Sequence, residues 1–163
     1  MIAQNSNQNL TNKEMAQTLF KIATLLRDRE DNPYRVRAYE NGARALMGRR
    51  DDAVAVLRDD AQKLRRRKGV LGERLQRKLQ ELARTGRMDY FAELCADLPP
   101  YIVALMAAPG VGPRLAQRLH ETLGVETAEE LALAARAGRI QGVYGVGPKR
   151  TAQWQQQLSL FGD

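Results

Sequence analysis

Apolar residues recur at intervals of three and four along most of this chain, and no segment sustains the strict alternation of a half-buried strand. The pattern predicts helices throughout. Thr11-Asn12-Lys13-Glu14 reads as a capping box, in which the Thr hydroxyl and the Glu carboxylate satisfy each other's orphan N–H groups. Met15, Leu19, Ile22, Ala23 and Leu26 follow at helical spacing. Asn32-Pro33 caps a second helix carrying Val36, Tyr39, Ala43 and Leu46. Asp51 or Asp52 starts a third, with Val54 and Leu57. A fourth spans about 73–84, with Leu75, Leu79 and Leu82 inward, and Thr85-Gly86 stops it. A short helix over 88–96 precedes Pro99-Pro100, the clearest boundary in the chain. Beyond it the order is helix, Gly-rich turn, helix, and then the same again. A second capping box, Thr127 to Glu130, opens the third of those helices. The expected fold is all-α, with a disordered tail over 1–10, a helical domain over 11–97, a tandem helix-hairpin-helix domain over 98–156 and a tail over 157–163.

The two Gly-rich turns are copies of one design. Pro109-Gly110-Val111-Gly112-Pro113-Arg114 and Tyr144-Gly145-Val146-Gly147-Pro148-Lys149-Arg150 each run into a helix. Pro at the first helical position costs nothing, because that N–H lacks an intrahelical partner anyway. The glycines permit a tight turn and close approach of a ligand to the backbone. A helix N-terminus suits an anion. The cations Arg114, Lys149 and Arg150 oppose the dipole there unless an anion docks. A polyphosphate is the natural ligand, and contact with phosphates carries no base identity.

Charge agrees with an anionic partner. Lys plus Arg number 26 against 19 Asp plus Glu, a net +7. No apolar run is long enough to span a membrane. The lone Cys95 cannot close an internal disulfide, which fits a reducing cytosol and, with DNA as partner, the nucleoid. No Cys, His and carboxylate spacing forms a zinc site. His120, the single histidine, reads as a surface residue beside Glu121. Gly69-Val70-Leu71-Gly72-Glu73-Arg74 looks like a third, degenerate hairpin with Val70 in place of the inner glycine. It lies between the cations Arg65 to Lys68 and the cations Arg74, Arg77 and Lys78, an arrangement suited to a phosphate-binding patch that includes Lys68 and Gly72.

Asn32-Pro33-Tyr34-Arg35-Val36-Arg37-Ala38-Tyr39, the degenerate hairpin with Leu82-Ala83-Arg84-Thr85-Gly86, and Pro109-Gly110-Val111-Gly112-Pro113 resemble, in order, the N-terminal half of X-family DNA polymerases, over roughly residues 11–158. The resemblance implies a polymerase beta N-terminal-like fold, a lyase domain followed by hairpins, that binds gapped DNA. It implies Lys78 as a Schiff-base lysine, Arg74, Arg35 and Tyr39 as residues of a 5′-phosphate pocket, and Tyr34 as a stacking partner for a template base. It also implies a Na⁺ or K⁺ ion held by turn carbonyls at the Gly110/Gly112 or Gly145/Gly147 hairpin. No strand carries a carboxylate pair for a two-metal polymerase centre, so polymerase activity is not expected. Gln157-Leu158-Ser159-Leu160-Phe161 resembles the pentapeptide that binds the bacterial sliding clamp, with Leu160 and Phe161 as apolar anchors and Gln157 fixing register.

Three functions therefore stand open. The first is a sequence-independent binder of gapped, nicked or primer-template DNA in repair or replication, tethered to the clamp. The second is an abasic-site or 5′-deoxyribose-phosphate lyase using Lys78. The third is a non-enzymatic module whose hairpins contact another protein.

Overall fold

A computed structural model describes residues 10–59, 65–66 and 69–161 of the chain. It is helical almost throughout and divides into two compact units, Met1–Ala96 and Asp97–Asp163.

In the first unit, α1 (Asn12–Asp28) packs along α2 (Pro33–Met47). The Thr11 capping box forms in full, with Glu14 N–H donating to the Thr11 hydroxyl and Thr11 N–H to the Glu14 carboxylate. Asn32 caps α2 by accepting from Tyr34 N–H, and Pro33 takes the first helical position. Met15, Leu19, Ile22 and Leu26 of α1 and Ala43 and Leu46 of α2 are fully buried. The Asn12 side chain fastens this pair to the start of α3 (Ala53–Arg58). It donates to Asp51 O at 2.8 Å and accepts from Ala53 N–H at 2.9 Å. Asp52 is the N-cap of α3.

Where the pattern predicts a degenerate hairpin, the backbone forms a two-residue antiparallel pair instead. β1 (Arg65–Arg66) meets β2 (Gly69–Val70) in the register Arg65↔Val70 and Arg66↔Gly69. Too few residues alternate there for a sequence pattern to reveal a strand. Lys68 lies outside the described residues. Next, α4 (Glu73–Thr85) ends at Gly86, and α5 (Asp89–Cys95) closes the unit. Gln76 is buried on α4 beside Leu79, Leu82 and Ala83, while Leu75 is only half-buried. Leu79 and Leu82 face inward as expected, and Leu75 lies against Gly42 of α2. A Cβ on Gly42 would stand 2.7 Å from Leu75 Cδ2, so the glycine makes room for the Leu75 side chain.

The second unit contains α6 (Pro100–Leu105), α7 (Pro113–Leu123), α8 (Ala128–Arg136) and α9 (Pro148–Phe161). α6 packs on α7, and α8 on α9. Ile102, Leu105, Val111, Leu119, Leu131 and Trp154 are buried in its core. The second capping box forms by halves. Thr127 accepts from Glu130 N–H, but the Glu130 carboxylate reaches past Thr127 to Glu126 N–H at 2.7 Å. His120 is half-buried rather than a plain surface residue: its ring stacks on Tyr101 at 3.9 Å, and Nδ1 lies 3.1 Å from Val125 O. Helix α9 continues through Gln157, Leu158, Ser159, Leu160 and Phe161, so the backbone of the predicted clamp-binding segment is helical; its side chains lie outside the described ones. No helix among the described residues is long and apolar enough to cross a membrane.

Candidate nucleic-acid interface

The two glycine turns have matching geometry. Val111 N–H donates to Ala108 O and Val146 N–H to Val143 O, at 3.3 and 3.2 Å. Gly110 and Gly145 take the third position of these turns with φ of 72° and 89°, where a side chain would be strained. Val111 is buried and Val146 half-buried, so the apolar residue between the glycines points inward in each copy. The helices then start alike. Ala116 N–H bonds Gly112 O at 2.9 Å, and Thr151 N–H bonds Gly147 O at 3.1 Å.

Gly112 and Gly147 call for a different explanation. Gly112 has φ −91° and ψ 178°, open to any residue. A Cβ built at either position meets nothing within 4 Å. Neither backbone conformation nor internal packing requires glycine at Gly112, and no side chain caps α7. What glycine does provide is a bare backbone at a helix N-terminus, which leaves room for a ligand to approach its N–H groups.

The turns are joined to each other by side chains, two of which, Trp154 and Arg118, the sequence does not single out. Trp154, fully buried on α9, donates its indole N–H to Pro109 O of the first turn at 3.0 Å. Arg118 of α7 donates to Tyr144 O of the second turn at 2.6 Å, with its guanidinium carbon 5.0 Å from the centre of the Tyr144 ring. Arg150 turns back to donate to Gly145 O at 2.7 Å, and its Nε lies 3.3 Å from where a Gly110 Cβ would stand. The first-turn cation Arg150 is therefore engaged by its own hairpin, although a guanidinium has five N–H groups and only one is used in that bond. Arg114 and Lys149 are exposed. The carbonyls of Pro109, Tyr144 and Gly145 thus accept from Trp154, Arg118 and Arg150.

In the first unit, Arg35, Ala38, Tyr39, Gly72, Glu73, Arg74, Leu75 and Lys78 line one cleft of about 510 Å³. It brings together Arg35, Tyr39, Gly72, Arg74 and Lys78 from segments some forty residues apart in the sequence. Gly72, the N-cap of α4, has nothing within 4 Å of a built Cβ, like Gly112 and Gly147. Tyr34 is 77% exposed, outside this lining. Sequence reasoning missed Tyr90. Its ring lies 4.9 Å beneath Lys78 Nζ and stacks on Tyr39 at 5.9 Å, and its hydroxyl accepts from Arg35 Nη2 at 2.8 Å. The only signal was an aromatic in the first turn of a short helix, too common to weigh. Burial, followed by the neighbouring Tyr90, pushes the Tyr39 phenol well above its ordinary 10.0. It therefore remains a neutral hydrogen-bond donor at physiological pH. Arg77, by contrast, pairs with Glu73 at 2.7 Å on the exposed face of α4.

Residues 102–159 match the SAM-like helix-hairpin-helix tandem. The tandem thus takes in α7, α8 and most of α6 and α9. The chain is also similar, beyond the tandem, to DNA polymerase/3'-5' exonuclease PolX of Bacillus subtilis (strain 168). The two are 29% identical over 150 residues, which is 92% of this chain and 25% of that protein. The chain spans about a quarter of the length of this curated relative. Among the described residues no group of His, Cys, Asp and Glu could hold a metal ion.

Proposed function

We propose that this protein binds DNA through backbone phosphates, without reading sequence, and holds nicked, gapped or primer-template structures during repair or replication. The observation that carries this reading is the pair of glycine positions, Gly112 and Gly147, kept bare at two matched helix starts where neither neighbours nor space demand it. Phosphate oxygens approaching those N–H groups would be flanked by Arg114, Lys149 and Arg150. The similarity to a DNA polymerase and the net +7 charge support the same partner.

The cleft supports a second activity, a lyase acting on abasic sugar. Lys78 Nζ would attack the C1′ aldehyde, and loss of water would give an iminium. Removal of a C2′ proton would then expel the 3′ phosphate by β-elimination. Arg35 and Arg74 would bind the 5′ phosphate, while Tyr90 holds Lys78 and Arg35 at the cleft wall. Docking of the 157–161 segment on a sliding clamp is a third element, carried by its sequence alone.

One panel tests these readings. Binding is measured on intact, nicked, gapped and abasic duplexes over a range of salt, with borohydride added to trap an iminium. Phosphate contacts give a linear fall of log affinity with log salt, about 0.9 per phosphate neutralised. A flat salt dependence would return the hairpins to protein contacts. Trapping by wild type but not by Lys78→Ala assigns the lyase; equal trapping removes Lys78 from that role. Purified clamp retained after deletion of residues 157–163 would dismiss the tether.

A further inference from the structure

We infer that Tyr144 is a stacking platform for an unpaired nucleobase, which makes the second hairpin of the tandem selective for strand ends and gaps over continuous duplex. The inference rests on the DNA-binding reading above and extends it from phosphates to bases.

The two turns differ at the residue before the first glycine. Where the first has Pro109, the second has Tyr144. Pro109 offers no aromatic ring, and its carbonyl accepts from buried Trp154. Tyr144 is 81% exposed, on the residue immediately before Gly145. A solitary exposed aromatic is ordinary on a protein surface. This one is held in place. Arg118 donates to the Tyr144 carbonyl at 2.6 Å and sets its guanidinium 5.0 Å from the ring centre. The same Arg118 Nη1 lies only 2.8 Å from where a Gly145 Cβ would stand, so the glycine makes room for the guanidinium. A cation on one face of the ring orients it at little cost in freedom and leaves the opposite face to solvent.

The setting selects the ligand. The ring adjoins a turn whose helix begins with Lys149 and Arg150, so a strand held there by its phosphate would carry its bases past Tyr144. Every base has a π-face, and stacking on an aromatic tolerates any sequence. Inside continuous duplex both faces of each base are already covered by neighbours. Only an unpaired or terminal base has a face to give.

The test uses the full chain and its Tyr144→Ala, Tyr144→Phe and Tyr144→Trp variants. The probes are a continuous duplex and the same duplex with a one-nucleotide gap, the unpaired base being 2-aminopurine. Wild type should prefer the gapped probe and quench its fluorescence. Tyr144→Ala should lower the ratio of gapped to continuous affinity by about tenfold, within the range of one base–aromatic stack. It should also abolish the quench, and Phe and Trp should retain both. An unchanged ratio, or wild-type binding with no quench, overturns the stacking platform while leaving phosphate binding in place. Equal losses on both probes would likewise assign Tyr144 to supporting the turn. Failure of wild type to bind either probe would overturn the DNA reading itself.

Discussion

Tyr39 is buried with its ring against Tyr90, and this has a consequence for stability. Its phenol is raised above 10.0 in the folded chain, first by burial and then by Tyr90. Below that pH the group is neutral whether the chain is folded or not, and the contribution to stability is complete. Above it the unfolded chain gives up the proton first. The folded state then binds more protons, so stability falls as pH climbs from 10.0 toward the raised value. Urea titrations should show wild type losing more stability than Tyr39→Phe over that alkaline window. Parallel curves would mean that some other group titrates. The same cleft shows what a residue-level reading can and cannot see. Arg35, Tyr39, Arg74 and Lys78 were legible through a family-like pattern, and they do line one cleft. Tyr90 was invisible because its importance lies in contacts with Lys78, Arg35 and Tyr39, across the fold. Gln76 was hidden for a related reason. It interrupts the apolar face of α4 yet is buried, with neither side-chain polar atom bonded.

At the scale of elements, the second unit is held together by one helix reaching back to another's turn. Trp154 fills the core of the tandem and satisfies Pro109 O at the same time. Trp154→Phe keeps much of the apolar burial but leaves that carbonyl without its donor, a cost of about 1–3 kcal/mol. Trp154→Ala adds a cavity and should cost about 3–5 kcal/mol. Chemical denaturation of the two variants checks this ordering; a Trp154→Phe variant as stable as wild type would show that the hydrogen bond contributes nothing. The helices themselves were readable because local chemistry decides them. Thr11, Asn32, Asp52 and Thr127 cap the helices their sequence announces. The departures come where the contacts made, near or far, are not set by the apolar and capping pattern. Leu75 lies against Gly42 of α2 and lines the cleft. The Glu130 carboxylate prefers Glu126 N–H to its own N-cap. The short β1–β2 pair depends on cross-strand bonds that four residues cannot signal. Arg118 and Arg150 bind turn carbonyls, whereas spacing alone assigns such arginines to solvent or phosphate.

For the whole molecule, the decisive fact is that each unit has its own candidate phosphate surface and its own buried core. The first carries the Lys78 cleft, the second the paired turns. Joining two weak phosphate-binding surfaces in one chain makes the second contact intramolecular, which raises affinity by about 10²–10⁴ without any new interaction, provided one DNA can reach both. The gain would depend on DNA geometry more than on base sequence, so a gapped substrate could be preferred even if neither unit recognises it alone. Cutting the chain between Ala96 and Asp97 tests this directly. Each half should fold cooperatively by circular dichroism, because each is a compact unit with its own buried core. On gapped duplex the salt slopes of the halves should sum to that of the intact chain, since the slope counts phosphates neutralised. Their affinities should each be lower by about the factor that linkage supplies. If either half alone reproduced both the slope and the affinity of the intact protein, the other unit would have no part in gripping DNA, and its role would lie in the chemistry of its cleft or in contacts with another protein.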